Sequence, residues 1–494
     1  MPAGPFDVAV VGAGVVGAAI ARELTRFRLR VVMVEAADDV GTGTSKANTA
    51  IWHTGFDADP GSQEAALLRR SGPLFEAYAA EAGVPVQRTG ALVVAWDEDE
   101  LRRLDDVEAR ARANGYLRTR RLSREELSRR EPHLGPGARG ALEVPDEGIL
   151  CPFTTPLAFA TQAVVNGAAL FLRAPVVGAR REGGLHVLST PRGELAATWV
   201  VNAAGLGADR VHRLFGLHTF RIRPRRGELL VFDKLARRLL SHVLLPVPTE
   251  RTKGVLVAPT VFGNVLLGPT AEDVRDPGAT GTTARGLADL IERGRILLPE
   301  LVEEEVTAAY AGLRPATETR DYRIEVHPDE RYACAAGIRS TGLSGAMGIA
   351  EHVRELLGDA GLVMEPNPAF VPIRVPWIGE GGTRPYEDEA AIAEDPDHGR
   401  IVCHCERVTR AEILAACRGP IPARSLDGLR RRTRATLGRC QGFACAEAVT
   451  GLLAEATGVD PAVLVGLADP PAPGPLPHPG WARAPRPVAR EEAP

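Results

Sequence analysis

FDVAVVGAGVVGAAIARELTRFRLRVVMVE, residues 6–35, decides how the rest of the chain is read. Phe6–Val11 has the apolar run of a buried strand, Val15 to about Phe27 that of a helix, and Arg30–Glu35 that of a second strand. This is the spacing of a parallel β-α-β unit. Gly12, Gly14 and Gly17 form G-x-G-x-x-G directly after the first strand. Gly12 permits a tight turn, Gly14 lets the backbone approach a pyrophosphate at the helix N terminus, and Gly17 lets the helix pack on the strand. Glu35 ends the next strand, 18 residues past Gly17, where an acid accepts hydrogen bonds from ribose hydroxyls. The unit predicts a Rossmann-type α/β domain with a bound dinucleotide, and by itself it does not separate FAD from NAD.

Two segments further out favour FAD. GTGTSKANTAIWHTG (41–55) is a small, polar loop just past the acid, suited to a long cofactor crossing it. GIRSTGLSGAMGIAEHV (337–353) is a second Gly-rich strand-to-helix turn. Its helix N terminus can stabilise negative charge on a reduced flavin ring, a feature a simple NAD domain does not need. Helices are expected near Ser62–Ala82, from Asp97 to Asn114 and over Leu343–Leu357. AATWVVNAAG (196–205) and YACAAG (332–337) read as further buried strands. From about 220 to 335, ELLVF (228–232), GVLVAP (254–259) and GNVLLG (263–268) alternate with turns, the pattern of an antiparallel sheet.

The balance of 59 basic and 63 acidic residues in 494 gives no basic surface for nucleic acid, and aromatic residues, at 5%, are too few for a base-stacking platform. The longest apolar stretch, Val8–Ala21, holds 14 residues and three glycines, too short to span a bilayer. No signal-peptide pattern precedes the first strand, so a cytoplasmic protein is expected, without direct membrane insertion.

Five of the seven cysteines fall between 403 and 445, a clustering that points to metal rather than disulfides. The pattern is Cys403-His404-Cys405, then Cys440 and Cys445 separated by four residues. Four thiolates in two close pairs suit a tetrahedral zinc or a 2Fe-2S cluster. The six arginines between 424 and 439 are expected to offset the negative charge of such a cluster. Cys417 reads as a helix-core thiol.

VVGAGVVGAAIARELT (10–25), DEGILCPF (146–153), VVNAAGLGAD (200–209), PRRGELLVFD (224–233), YAGLRP (310–315) and GIRSTGL (337–343) together resemble the D-amino-acid-oxidase-like flavoprotein superfamily, over about residues 6–357. Within it the chain is similar to anaerobic glycerol-3-phosphate dehydrogenase large subunits and to L-2-hydroxyglutarate dehydrogenases. VCHCERVTRAEI (402–413) and SLDGLRRRTRATLGRCQGFACAEAV (425–449) resemble the 2Fe-2S domain of bacterioferritin-associated ferredoxin. That likeness implies Cys403, Cys405, Cys440 and Cys445 as ligands.

The resemblance implies an FAD-binding domain (1–82, 145–215 and 330–362) interleaved with an antiparallel α+β substrate domain (83–144 and 216–329). A linker (363–400), a small helical 2Fe-2S domain (401–460) and a disordered tail (470–494) follow. Thr44, Ser45, Val177, Ala204, Gly205, Gly337, Gly342, Leu343 and Ser344 are implied to line FAD. His53, in IWHTGF where related 2-hydroxyacid enzymes carry IHSG beside the flavin, is the candidate base. Arg314 is the candidate clamp for a carboxylate or phosphate. Tyr310 and Arg226 are weaker candidates with a structural role as the alternative.

The implied activity is a dehydrogenase that oxidises a small polar hydroxy substrate, a 2-hydroxy acid or glycerol 3-phosphate, and relays electrons through the cluster to a partner subunit or a quinone. Arg339-Ser340-Thr341-Gly342 stands where the glycerol-phosphate enzymes typically have Gly-Gly-Lys, and the substrate stays open on that point. Oxidation of an amine or imino acid, or a non-catalytic electron-transfer role, are the alternatives.

Overall fold

β1 (Phe6–Val11), α1 (Val15–Leu24) and β2 (Val31–Val34) form the opening unit. The helix stops three residues short of the expected Phe27: past Thr25 the backbone tightens into i→i−3 bonds, Arg26 N–H to Glu23 O at 3.2 Å and Phe27 N–H to Leu24 O at 3.1 Å. The computed structural model describes residues 5–248, 254–472 and 474.

β1 pairs in parallel with β2, and β3 (Ala169–Phe171) continues the sheet beyond it. An antiparallel hairpin, β4 (Gly178–Glu182) and β5 (Leu185–Thr190), leads into the long β6 (Gly193–Asn202). β6 pairs in parallel with β1 and, on its other side, with Tyr332–Ala336. The central strands are buried on both faces and carry valine, alanine and cysteine rather than alternating polar residues, as a covered parallel sheet requires. The alanines and Ile20 of α1 pack against Thr154–Val165 and against α2 (Gly342–Asp359).

A second sheet of nine strands joins residues 91–144 to residues 223–316. Its backbone is β7 (Arg223–Phe232), paired along its whole length with β8 (Val306–Ala316). It is antiparallel with one exception: Val243–Pro246 runs parallel to Ala91–Ala95. That pair joins strands from the two separate sequence segments, so no hairpin dictates their direction. Both sheets are thus assembled from segments that alternate along the chain.

The cluster region, Ile401 onward, has its own small core around Ile413, Leu429 and Leu453. It includes α3 (Leu426–Thr433) and α4 (Ala446–Thr457). The stretch 363–400 is not a loose linker. Pro366 bridges to Phe27, Val375 N–H bonds Ala82 O at 2.8 Å, Ile378 is buried, and Glu389–Glu394 is helical. The expected tail lies, at 473 and from 475 onward, outside the described residues. Just before that, Pro471 and Gly474 carbonyls accept from Arg173 and Arg192. No helix among the described residues is long and apolar enough to cross a membrane.

Candidate functional site

One cavity of about 720 Å³ runs beneath the C-terminal ends of the central parallel strands. That is the crevice in which open α/β sheets bind ligands. Gly12 sits at φ +104°, and a Cβ there would lie 2.5 Å from Ala203 O. A Cβ at Gly17 would lie 2.0 Å from Gly12 O. Gly17 therefore packs helix on strand and does not line the cavity. Gly14 is the N-cap of α1, and the helix start, with Val15 and Val16, opens on the cavity. Ser45 Oγ accepts the Val15 N–H at 2.9 Å. The Glu35 carboxylate accepts from Ala13 N–H at 2.6 Å and Ala37 N–H at 2.9 Å. Burial raises its pKa while those N–H groups lower it. A helix start at Gly14 that opens on the cavity and a half-buried acid directly after β2 are the donor set and acceptor that a pyrophosphate and a ribose need.

Thr44, Ser45, Ala204, Gly205, Gly337, Gly342 and Leu343 also line this cavity. Two residues implied for it do not. Val177 points outward, 62% exposed, and its N–H bonds Ser189 O. Its neighbours Pro175 and Val176 line the cavity instead. Ser344 is buried behind the wall, where its Oγ donates to Ile51 O and accepts the His53 N–H at 2.9 Å.

His53 lines the cavity. Its Nδ1 lies 3.0 Å from Glu147 Oε2, and Glu147 is fully buried. The other Glu147 oxygen accepts from Thr54 N–H at 2.6 Å and Thr54 Oγ1 at 2.8 Å. An ionised carboxylate only accepts, so Nδ1 carries the proton and Nε2 keeps the lone pair, the tautomer a general base needs. Glu147 escaped the sequence reading although DEGILCPF was singled out, because 94 residues separate it from His53.

Arg314, on β8, faces the same cavity. Among the described residues it has no carboxylate partner. Burial and the like charges of Arg225 and Arg339 push it below the usual guanidinium range. Arg225 is its direct cross-strand neighbour on β7. Asp273 offsets the Arg225 charge at 3.6 Å, whereas Arg314 keeps its own, and a like charge opposed across a sheet is destabilising, so Arg314 suits a site that an anion completes. Space for the guanidinium comes from Gly227, where a Cβ would lie 3.1 Å from Arg314 Nη2. Arg225 and Arg339 were both missed. Strand alternation could have identified Arg225, since it shares a face with Gly227 while Arg226 does not. Arg226 pairs with Glu272 on the opposite face. The buried Tyr310 hydroxyl donates to Asn48 O at 2.6 Å and does not line the cavity.

In the C-terminal region Cys405 faces Cys440, and Cys403 faces Cys445. Cys403 and Cys445 are buried, Cys440 is partly buried and Cys405 exposed, so the sulfur group has an inner and an outer edge. Burial and the nearby Cys403 push the Cys445 thiol up to about 12. Cys445 caps the start of α4, whose positive end adds to the attraction for a thiolate-bound centre. Cys417 is buried in the domain core. Of the six arginines, Arg430, Arg431, Arg432, Arg434 and Arg439 pair with Asp427, Asp39, Glu406 and Glu305, and Arg439, next to Cys440, also acts on the Cys405 sulfur. A separate trio, His212, Glu325 and His327, lies close enough to suggest a metal. Tyr332 and Thr219 already occupy both His212 nitrogens, which makes the trio part of a hydrogen-bonded core network.

Residues 7–356 match the model of the FAD dependent oxidoreductase family. The chain belongs to that family. Residues 401–455 of this FAD-dependent oxidoreductase match a BFD-like 2Fe-2S binding domain. The chain is 37% identical, over 92% of its length and 95% of the relative's, to a glycerol 3-phosphate dehydrogenase of Caloramator mitchellensis. It is 28% identical to an anaerobic glycerol-3-phosphate dehydrogenase subunit of Escherichia coli (strain K12), over 90% of this chain and 88% of that one. Among solved structures it is similar to the FAD-bound L-α-glycerophosphate oxidase of Mycoplasma pneumoniae, with TM-score 0.72 and 29% identity, over 76% of this chain and 99% of that one. The oxidoreductase is thus a glycerol-3-phosphate-dehydrogenase-like flavoprotein with a 2Fe-2S domain.

Proposed function

We propose that this flavoprotein is a dehydrogenase that oxidises the secondary alcohol of glycerol 3-phosphate. The observation that carries the reading is Arg314, a cation in the cavity wall with no carboxylate partner among the described residues, with the like charge of Arg339 nearby and Arg225, itself paired with Asp273, opposite. A phosphate dianion neutralises more of that excess charge than a single carboxylate does. The relatives named for glycerol 3-phosphate support the same choice.

His53 Nε2 takes the hydroxyl proton, and Glu147 holds the ring and stabilises its cationic form. Arg314 holds the substrate's anionic end. FAD, held by Gly12, Gly14, Glu35, Ser45, Gly205 and the turn from Gly337 to Leu343, supplies the hydride acceptor. The 2Fe-2S group held by Cys403, Cys405, Cys440 and Cys445 supplies one-electron transfer to an electron-accepting partner. Quinone contact goes through that partner, and the enzyme works in the cytoplasm.

Anaerobic mixing of FAD-loaded protein with glycerol 3-phosphate should bleach the flavin and then produce the cluster's reduced EPR signal. Glycerol, which lacks the anion, should do neither. Bleaching by L-2-hydroxyglutarate or an amino acid but not by glycerol 3-phosphate would reject the substrate. A bleached flavin with a cluster that stays oxidised would reject the relay. His53→Asn should lower kcat about 10²–10⁴-fold.

A further inference from the structure

The flavin-cradling loop is short of means to hold its own shape. GTGTS (41–45) has two glycines and no large apolar side chain, so ordering it costs more backbone entropy than an average loop. Thr42, Gly43, Thr44 and Ser45 nevertheless form part of the cavity wall. Asn48 Nδ2 donates to Thr44 O and Ser45 O at 3.1 and 2.8 Å, and the buried charged contacts that anchor the loop's flanks come from the other end of the chain.

Asp39, just before the loop, is 4% exposed. Its carboxylate accepts from Arg431 Nη2 at 2.7 Å and from both terminal nitrogens of Arg432 at 2.6 and 2.8 Å. Arg431 also donates to Val40 O at 3.0 Å. At the loop's far side, Lys46 Nζ meets Asp427 at 2.9 Å. All three partners lie on α3 of the 2Fe-2S domain. The helix backbone presses close, since a Cβ at Gly428 would lie 2.9 Å from Asp39 Oδ2. Inside the cavity the same loop is fastened to both reacting halves. Ser45 Oγ accepts the Val15 N–H at the start of α1. Thr44 Oγ1 donates to Leu313 O at 2.7 Å, next to Arg314.

We propose that the 2Fe-2S domain is the outer wall of the flavin site: α3 holds loop 39–48 in its FAD-retaining shape through the Asp39–Arg431/Arg432 clamp and the Lys46–Asp427 bridge. Asp39 is then a positioning residue for a cofactor it does not touch. The redox domain is a built-in part of the flavin site rather than a module on a tether. The proposal rests on FAD occupying the cavity described above.

The test uses full-length protein carrying both groups. FAD release is followed by flavin fluorescence after dilution, and iron is measured in the same samples. Asp39→Asn should release FAD on the order of tenfold faster or more while keeping its iron. Lys46→Met, at the half-exposed end of the clamp, should speed release about two- to fivefold and leaves folding undisturbed should Asp39→Asn not fold. Lys46→Asp, which sets a second carboxylate against Asp427, should release FAD faster than Lys46→Met does, an ordering by charge that a general loss of packing would not give. Release at the wild-type rate from Asp39→Asn, or from Lys46→Met where only that variant folds, overturns the clamp and leaves the flavin reading standing. A wild-type protein that holds no FAD overturns the flavin reading and the clamp together.

Discussion

Arg314 and Arg432 are both guanidiniums withdrawn from bulk water, and the protein treats them in opposite ways. Arg432 is saturated: it donates to both oxygens of Asp39 and to the carbonyls of Ile421 and Gly428. Arg314 meets no acceptor among the described residues and faces a second arginine across the strand pair. A buried charge with its hydrogen bonds filled is part of the architecture. A charge left unfilled beside a cavity costs stability that only a ligand returns. The contrast separates the arginines that join domains from the one proposed to bind substrate, which composition alone does not do.

The same substitution at both positions puts this to the test. Arg314→Met should lower kcat/KM for an anionic substrate by about 10²–10³-fold, the range expected when one partner of a buried charge pair is truncated. It should leave the melting temperature of the anion-free protein unchanged or higher, because an unpaired cation is removed. Arg432→Met should instead destabilise the protein by about 3 kcal/mol, since Asp39 loses its bidentate partner. The comparison breaks if calorimetry finds Arg314→Met the less stable of the two.

His212 sharpens the contrast from a third side, as a buried base kept neutral. Burial pushes its pKa down to about 4 from an ordinary 6.5. The unfolded chain therefore binds the proton first, and stability should fall as pH drops from about 6.5 to about 4, by roughly 3 kcal/mol. His212→Asn should flatten that part of the stability–pH curve. An unchanged slope in urea titrations across this range would assign the acid sensitivity to another group.

Arg430 is the control. Its pair with Asp427 is partly exposed, one helical turn away on α3. Arg430→Met should shift stability by no more than about 0.5 kcal/mol. A loss as large as that of Arg432→Met would mean that burial is not what distinguishes these arginines.

Local chemistry made the opening β-α-β unit, the antiparallel region and the four-cysteine pattern legible. The glycines of G-x-G-x-x-G state their own backbone requirement, the valine runs state burial on both faces, and C-x-C with C-x4-C states ligation. Position along a strand was less reliable. Val177 was placed in the cavity one residue away from Val176, which lines it, and Arg226 was weighed where Arg225 holds the site. For the arginines a shift of one residue reverses the face, and only the hydrogen-bonded register of β7 with β8 fixes which face is inward.

The sequence by itself determined the dinucleotide unit and the four sulfur positions, because each follows from residue type and short spacing, while His53 and Arg314 became candidates through the family resemblance of the segments that carry them. Only the tertiary structure decided how they are held. Glu147 reaches His53 across 94 residues and Asp39 reaches Arg432 across 393. No local pattern encodes such pairs: a carboxylate finds its partner through the packing of the whole chain, and whether a charge is paired or left open exists only once the fold has removed the water around it.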